Sequence, residues 1–439
     1  MANILSGIKI VRGESTGASY SVDALVGTGG QGEVYRVSGG PQELALKWYF
    51  PESATTAQRD ALERLTMQAG MDKRFLWPLE LAVAPEVKGF GYLMPLRATR
   101  FKSLFDLMKR QVEPSFRTLM TIGIELAESY WQLHARGLCY CDISFGNVFI
   151  DPVTGEVLIC DSDNITIDRH AGNRIIGTPR FMAPEVVLGG PPTSDSDRFS
   201  LAVLLFYMLH LSHPLEGRSE HDIHCMDMRA MRRLFGEEPI FIFDPTNATN
   251  RPVPGFQDHA ETYWKLYPLE LRELFIRSFT VGLRDARDGR VRETEWRSAL
   301  VRARDAVFYC SACASESFFD AANPDVGRCW ACGEPLRAPL RLHLGRGGSD
   351  DFVALCKDSR LYPHHLASAA RRYDFSVPWA EVSRHPRDHA RFGLKNLSPN
   401  TWSYFREDGH PLPVSPGRSA SLAEGARFDF GETVGEIRG

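Results

Sequence analysis

Asp142 and Asn147 stand five residues apart in LCYCDISFGNVFI (138–150), between two short apolar runs. A carboxylate and an amide in one loop can align an attacking hydroxyl and help to hold a divalent cation, the two needs of phosphoryl transfer. A second acidic stretch follows about a strand later: EVLICDSDN (156–164) ends an apolar run on Asp161 and Asp163, further oxygen donors for a metal. Upstream, LVGTGGQGEVYRV (25–37) spaces Gly27, Gly29 and Gly32 as GxGxxG, and LALKWYF (44–50) sets Lys47 among apolar residues. Taken singly these signals are weak, because glycines also make plain turns and an Asp after a strand is usually a turn residue. Together they are coherent: a phosphate cradle needs a cation that reaches the phosphates, and Lys47 supplies it. A buried ammonium needs an acid partner. Glu63 in the next helical stretch is the best placed, with Asp60 as its rival.

Four cysteines offer different chemistry. Cys310/Cys313 and Cys329/Cys332 form two CxxC pairs separated by fifteen residues, a spacing that brings four thiolates within tetrahedral reach of one zinc, with Gly333 allowing the tight turn after the second pair. A segment of some thirty residues has too little core of its own, whereas such a site contributes roughly 10 to 16 kcal/mol to folding. All four positions are filled by protein, so the expectation is a structural zinc. The other five cysteines, Cys139, Cys141, Cys160, Cys225 and Cys356, read as buried small hydrophobes.

The elements that must position these groups are legible from periodicity. Residues 8–50 alternate apolar and polar with Gly and Ser punctuation, the pattern of antiparallel strands. SATTAQRDALERLTMQAG (53–70) reads as a helix stopped by Gly70, and LELAVAP and GYLMPL as two more strands. From Phe101 the pattern turns helical. Phe116, Leu119, Ile122, Leu126, Tyr130 and Leu133 share one face of a helix ending at Gly137, followed by strand candidates LCY, VFI and EVLIC. Residues 197–211 and 268–281 are helical in pattern, and 295–308 form the last helix of that region. Residues 337–439 are β-dominated, with LGRGGSDDF (344–352) as a linker or exposed loop.

Bulk composition narrows the function. With 439 residues the chain exceeds one compact core. A formal net charge of -4, and sixteen Lys and Arg against sixteen Asp and Glu from Cys310 onward, argue against nucleic acid and anionic membrane as partners. The longest strongly apolar run, LAVLLFYMLHL (201–211), is too short to span a bilayer and suits a buried helix. The N-terminal stretch lacks the pattern of a secretory signal, so a cytoplasmic location is expected.

Over residues 14–307 the ordered motifs resemble the eukaryotic-type protein kinase family: GTGGQG, the lysine in LALK, YCDISFGN in place of HRDLKxxN, CDSD in place of DFG, GTPRFMAPE, DRFSLAVLLF with HPLEG, and RVRETEW. The resemblance implies an α+β bilobal fold, a β-rich N-lobe over a helical C-lobe. It implies that Gly27, Gly29 and Gly32 cover the ATP phosphates and that Lys47 binds them while paired with Glu63. Asp142 is then the catalytic base, and Asn147 and Asp161 hold magnesium or manganese. Met94 is the gatekeeper, Pro95 to Arg97 form the hinge that meets adenine, Glu185 pairs with Arg290, Asp197 braces the catalytic loop, and Thr178 lies on the protein-substrate platform of a serine/threonine kinase.

The departures carry information too. Tyr140-Cys141 replaces His-Arg, so the arginine that receives an activation-loop phosphate is missing, and activity should not depend on phosphorylation of Thr166. Ser144 replaces the lysine expected two residues after the base. Ser162 and Asp163 replace Phe-Gly, which removes the regulatory aromatic and offers the metal a second carboxylate at Asp163. Because Lys47, Glu63, Asp142, Asn147 and Asp161 are all retained, catalysis is favoured over a pseudokinase-like scaffold that presents the tail to partners.

The domain order expected is an N-terminal strand extension (1–13), kinase domain (14–307), zinc ribbon (308–336) and a small β-sandwich-like domain (337–439). LKNLSPNTW and LAEGARFDFG resemble a forkhead-associated sandwich, the phosphothreonine reader. His385 directly follows Ser383-Arg384 and no clear upstream Gly-Arg pair stands where a phosphate-binding arginine would be expected, so an unmodified partner competes with a phosphopeptide. The whole order resembles bacterial kinases of the tellurite-resistance-associated phosphorylation triad, whose members accompany a von Willebrand-type protein and a metal-dependent phosphatase.

Overall fold

The computed structural model describes residues 4–68, 72–169, 177–345, 351–385, 387–388, 391–406 and 409–439. Two compact units make up the chain: Met1–Pro114 with Thr121–Glu261 and Glu273–Arg297, and Ser115–Met120 with Thr262–Arg272 and Ser298–Gly439.

In the first unit, strands β1 (Ile10–Gly13), β2 (Ser19–Thr28), β3 (Gly32–Ser38) and β4 (Leu44–Tyr49) precede helix α1 (Thr56–Thr66) and strands β5 (Glu80–Ala84) and β6 (Val87–Pro95). The six strands close into a barrel in the order β1-β2-β3-β4-β6-β5, sealed where Arg12 meets Val83 and Gly13 meets Ala82. Ile10–Gly13, the end of the expected N-terminal extension, is thus a barrel stave. Strand β4 is buried along its whole length, since it is flanked on both edges and packs Leu46 and Trp48 into a core with Val11, Tyr35 and Leu93. That burial carries Lys47 inside as well. Thr55 caps α1 by accepting from the Gln58 N–H, and the helix buries Leu62 and Leu65. Its expected stop, Gly70, lies outside the described residues.

The helical half begins with β7 (Lys102–Ser103), α2 (Leu104–Met108) and α3 (Phe116–His134), then β8 (Leu138–Cys139), β9 (Val148–Ile150), β10 (Val157–Ile159) and β11 (Thr166–Ile167). Helix α3 buries Leu119, Ile122, Leu126, Tyr130 and Leu133, and the chain leaves it at Gly137 with φ +71°, a conformation glycine adopts without penalty. Two short ladders, β8 with β11 and β9 with β10 and β7, hold the acidic loops at their ends. After α4 (Pro184–Val187), helix α5 (Ser194–His210) is buried on every side, as its all-round apolar sequence requires. Helices α6 (Arg218–His221), α7 (Met228–Arg232), α8 (Asp258–Leu266), α9 (Leu269–Ser278), α10 (Val281–Arg284) and α11 (Glu293–Asp305) follow. Among the described residues no helix is long and apolar enough to cross a membrane.

Val307 and Phe308, expected to finish the last helix, instead open a hairpin of β12 (Val307–Tyr309) and β13 (Glu316–Phe318) in the second unit. Beyond the cysteine pairs come β14 (Arg341–Leu344), β15 (Phe352–Ala354), β16 (Arg360–Leu361), α12 (Pro363–Leu366), β17 (Ala380–Arg384), β18 (Phe392–Asn396), β19 (Trp402–Phe405), β20 (Pro411–Val414), β21 (Ser419–Ser421), β22 (Arg427–Asp429) and β23 (Val434–Arg438). One sheet runs β15-β14-β23-β22-β19-β20 and the other β16-β17-β18-β21. Leu342, Trp402, Phe428 and Ile437 from the first share a core with Leu361, Val382, Leu394 and Ala420 from the second. Of the expected loop at 344–352, the ends are strand residues, and 346–350 lie outside the described residues. Cys225 is exposed and Cys141, Cys160 and Cys356 are half-buried, so only Cys139 meets the expectation of a buried thiol outside the paired four.

Candidate active site

Strand β4 delivers Lys47 to the end of the β10 loop. Its Nζ lies 2.9 and 3.0 Å from the two carboxylate oxygens of Asp163 and 3.2 Å from Asp161 Oδ1. Asp163 also accepts from the hydroxyls of Tyr49 and of Tyr92, the latter at 3.2 Å. Burial opposes charge on Lys47, yet the carboxylates of Asp163 and Asp161 outweigh it and hold the ammonium above its ordinary pKa. Burial likewise works against ionised Asp163, and Lys47 with the Tyr49 hydroxyl pulls its pKa below the usual range. Asp161 shows the opposite balance: burial, with the charges of Asp163 and Asp142 adding to it, raises its pKa despite Lys47.

Two expectations are corrected here. Glu63 does not pair with Lys47. Its side chain is 44% exposed and bridges Arg59 at 3.2 Å, one helical turn back on α1. Asp60 is exposed as well. The reason is rotational. At about 100° per residue, the inward face of α1 carries Gln58, Leu62 and Leu65, whereas Glu63 points roughly 140° away from Gln58. Gln58 is the α1 side chain that reaches the network, donating to Tyr49 Oη at 3.2 Å. Nor is Asp163 arranged as a second metal carboxylate, since both its oxygens are engaged by the ammonium and two hydroxyls and its side chain is fully buried.

The loop between β8 and β9 carries Asp142. Cys141 takes φ +71°, and the turn is held from below by Asp197, which accepts from the Tyr140 and Cys141 N–H groups at 2.5 and 3.0 Å. Asn147 Nδ2 donates to the Asp142 carbonyl at 2.9 Å and to its Oδ2 at 3.0 Å. The N–H and hydroxyl of Thr178 reach Asp142 Oδ1 at 2.8 and 2.9 Å. Tyr140, in place of the expected histidine, is buried and donates its hydroxyl to the Cys160 carbonyl, which ties the two acidic loops together. Beneath them His134 bridges Asp197 at 3.0 Å and Glu293 at 2.6 Å. Burial disfavours its charge, but the two acids raise its pKa to about 9. This support was missed in the sequence because its three members are scattered over about 160 residues.

The glycine stretch is the β2–β3 hairpin. A Cβ on Gly32 would lie 2.1 Å from the Trp48 carbonyl, whereas one on Gly27 would meet nothing within 4 Å. Gly29 donates its N–H to the Gly32 carbonyl at 2.9 Å. Met94 is buried opposite Ala45, with Pro95 opposite Leu44. Arg97 packs its guanidinium 4.1 Å from the ring centroid of Phe149 on β9 and donates to the Phe101 carbonyl. Phe149 carries a signal that sequence reading passed over: it is the outward residue of the VFI strand, two beyond Asn147. Glu185 and Arg290 form a two-bond ion pair at 2.7 and 2.8 Å, and Arg290 also holds the Asp195 carbonyl.

In the second unit the four paired cysteines gather, all their sulfurs lying within 4.8 Å of one another. Cys310 and Cys332 are 3.8 Å apart, and Cys313 and Cys329 3.6 Å. The edge of a tetrahedron with metal–sulfur bonds of about 2.3 Å is roughly 3.8 Å, so the donor set fits zinc. Each knuckle turns through a residue with positive φ, Ala314 at 60° and Gly333 at 75°. Asp305, His364 and His365 also cluster, but as a hydrogen-bonded brace. The Nδ1 atoms of the two rings accept the N–H groups of Tyr373 and Tyr362. That places the ring protons on Nε2 and leaves no lone pair there for an ion.

A lysine-bearing barrel above a helical half that presents two acidic loops and a threonine against one of them defines a phosphotransferase of the kinase type. The protein kinase domain model matches residues 20–261, just over half of the chain, which belongs to the protein kinase family. The chain is 29% identical over 218 residues to the DNA damage-responsive serine/threonine-protein kinase RqkA of Deinococcus radiodurans, covering 46% of this chain and 31% of that protein. It is 32% identical over 216 residues to the serine/threonine-protein kinase PknK of Mycobacterium bovis, covering 46% and 19%. With the probable dual specificity protein kinase YAK1 homolog of Encephalitozoon cuniculi it shares 27% over 240 residues, covering 51% and 55%. The matches thus span from about a fifth to about half of these relatives.

Proposed function

We propose that this chain transfers the γ-phosphate of ATP to serine or threonine hydroxyls of a protein substrate, in bacterial signalling in the cytoplasm. The reading is supported by the Lys47–Asp161 ion pair and by the Asp142–Asn147–Thr178 cluster, whose Asp142 lies close enough to Asp161 for its charge to raise that carboxyl's pKa. Asp142 accepts the proton of the attacking hydroxyl, and Asn147 and Thr178 hold its carboxylate in place. Lys47 steadies the phosphates beneath the β2–β3 hairpin, and Met94 to Arg97 line the adenine end. Asn147 and Asp161 would hold magnesium or manganese, which when bound neutralises charge building on the phosphates. The named serine/threonine kinases among the relatives and the Asp142–Thr178 contact favour a Ser/Thr acceptor.

Cys310, Cys313, Cys329 and Cys332 would hold a structural zinc. The two-sheet domain, with its forkhead-associated resemblance, would receive a protein partner, the von Willebrand-type protein and metal-dependent phosphatase of the resembled triad being the candidates. Incubation of the full chain with labelled ATP, Mg²⁺ and casein, followed by phosphoamino-acid analysis, tests the reading. Label on serine or threonine that falls at least a hundredfold in Asp142→Asn is the expected result. Undiminished label in that variant would contradict the base, and no label in the unaltered chain would favour the scaffold reading.

A further inference from the structure

We infer that the carboxylate anchoring the phosphate-directed lysine is Asp163, and that helix α1 has lost this role; the inference rests on the kinase reading above. In the common arrangement of this enzyme class, the strand lysine pairs with a glutamate on the helix that follows, so movement of that helix makes or breaks the site. Here Glu63 faces solvent beside Arg59, with its side chain 44% exposed. Lys47 instead makes two contacts, at 2.9 and 3.0 Å, with a carboxylate that is fully buried. A carboxylate has about four acceptor positions. Lys47, Tyr49 and Tyr92 occupy those of Asp163, which makes it a satisfied buried anchor and an unsuitable ligand for anything that comes and goes.

The anchor's backbone is pinned by hydrogen bonds that do not involve α1. Residues Ser162–Asn164 form a single tight turn, pinned by the Asn164 N–H to the Asp161 carbonyl at 3.0 Å and by the Ser162 hydroxyl to the Leu76 carbonyl at 3.2 Å. Asp163 therefore sits two residues from Asp161 on one short rigid piece, so the lysine and the proposed metal carboxylate are positioned by the same turn. Helix α1 packs against this turn, but its hydrogen-bonded link to the site runs through Gln58 and Tyr49, one step removed from the ion pair. The bonds that hold the Lys47–Asp163 pair come from Asp161, Tyr49 and Tyr92, and none of them from α1.

The comparison that decides is Glu63→Gln against Asp163→Asn in the full chain, read by KM for ATP, KM for casein and calorimetric ADP affinity. Asp163→Asn should raise KM for ATP at least tenfold and weaken ADP by a similar factor, while KM for casein stays within twofold, a selectivity that general loosening of the fold would not produce. Glu63→Gln should change each quantity by less than threefold. If Asp163→Asn does not fold, Tyr49→Phe, which removes one bond to the anchor, should move ATP and ADP in the same direction by at least threefold. A tenfold loss in Glu63→Gln, or unchanged nucleotide constants in Asp163→Asn, overturns the assignment. A wild-type chain that binds ADP without transferring phosphate defeats the kinase reading and leaves the anchor to be judged on ADP affinity; one that does neither brings down both.

Discussion

Lys47 shows how a single side chain's partner sets the logic of a site. An ammonium taken out of water needs compensation of several kcal/mol, and the compensating group must itself be satisfied. Asp163 meets that condition because two tyrosine hydroxyls complete its acceptor set. A residue of no chemistry at all, Gly32, is as tightly constrained. Its missing side chain lets β3 approach the Trp48 carbonyl, which an added Cβ would reach at 2.1 Å. Gly32→Ala should therefore destabilise the protein by about 1 to 3 kcal/mol. Gly27→Ala, facing open space, should stay within about 0.5 kcal/mol. Chemical denaturation of the two variants checks the contrast, and equal losses would show that the hairpin, not the contact, is sensitive.

Among the elements, α3, α5 and α11 meet at a buried charge cluster. His134 lies between Asp197 and Glu293, and Arg198 bonds both Glu293 and Asp195. This cluster supports the turn that presents Asp142, so its protonation matters to the loop that carries that residue. The folded pKa of His134, about 9, exceeds the ordinary 6.5. The stability it contributes is therefore fully present below about pH 6.5 and is lost as pH rises through 9. Glu293 is held at about 2, mainly by His134 against the cost of burial, so its contribution is present above about pH 4.5 and lost only as pH falls through 2. Unfolding free energy measured from pH 6.5 to 9.5 should decline by about 2 to 3 kcal/mol. His134→Gln should start lower and flatten that slope, and an unchanged slope would rule out the charged bridge.

At the scale of the whole molecule, the chain's two units are interleaved in sequence. Residues 115–120 and 262–272 group with the C-terminal half. There Phe116 at the start of α3 packs against Tyr263, Tyr267, Phe318 and Trp330, and Trp330 lies between two of the four clustered cysteines. The knuckle that carries this tryptophan is too short to hold its shape by packing alone. Metal analysis of the reduced protein should return one zinc per chain. Chelation should shift Trp330 fluorescence, relative to a Trp330→Phe control, and lower the melting temperature by several degrees. Protein purified without zinc, or a tryptophan signal indifferent to chelation, would refute a structural metal.

Much of this was readable before folding was considered. The ordered motifs, the strand and helix periods and the cysteine spacing are local properties of the chain, and they determined the family, the kinds of elements and the groups available for chemistry. Asp142, Asn147, Asp161, Lys47 and the Glu185–Arg290 pair were all legible in this way. Which acid meets the buried lysine was not. That choice depends on the rotation of α1 about its axis, on the register that sets Tyr92 opposite Lys47, and on the turn that drops Asp163 beneath both. A residue's identity travels with the sequence, but its partner is chosen by groups up to 116 positions away, and only the packed tertiary structure brings them to one point.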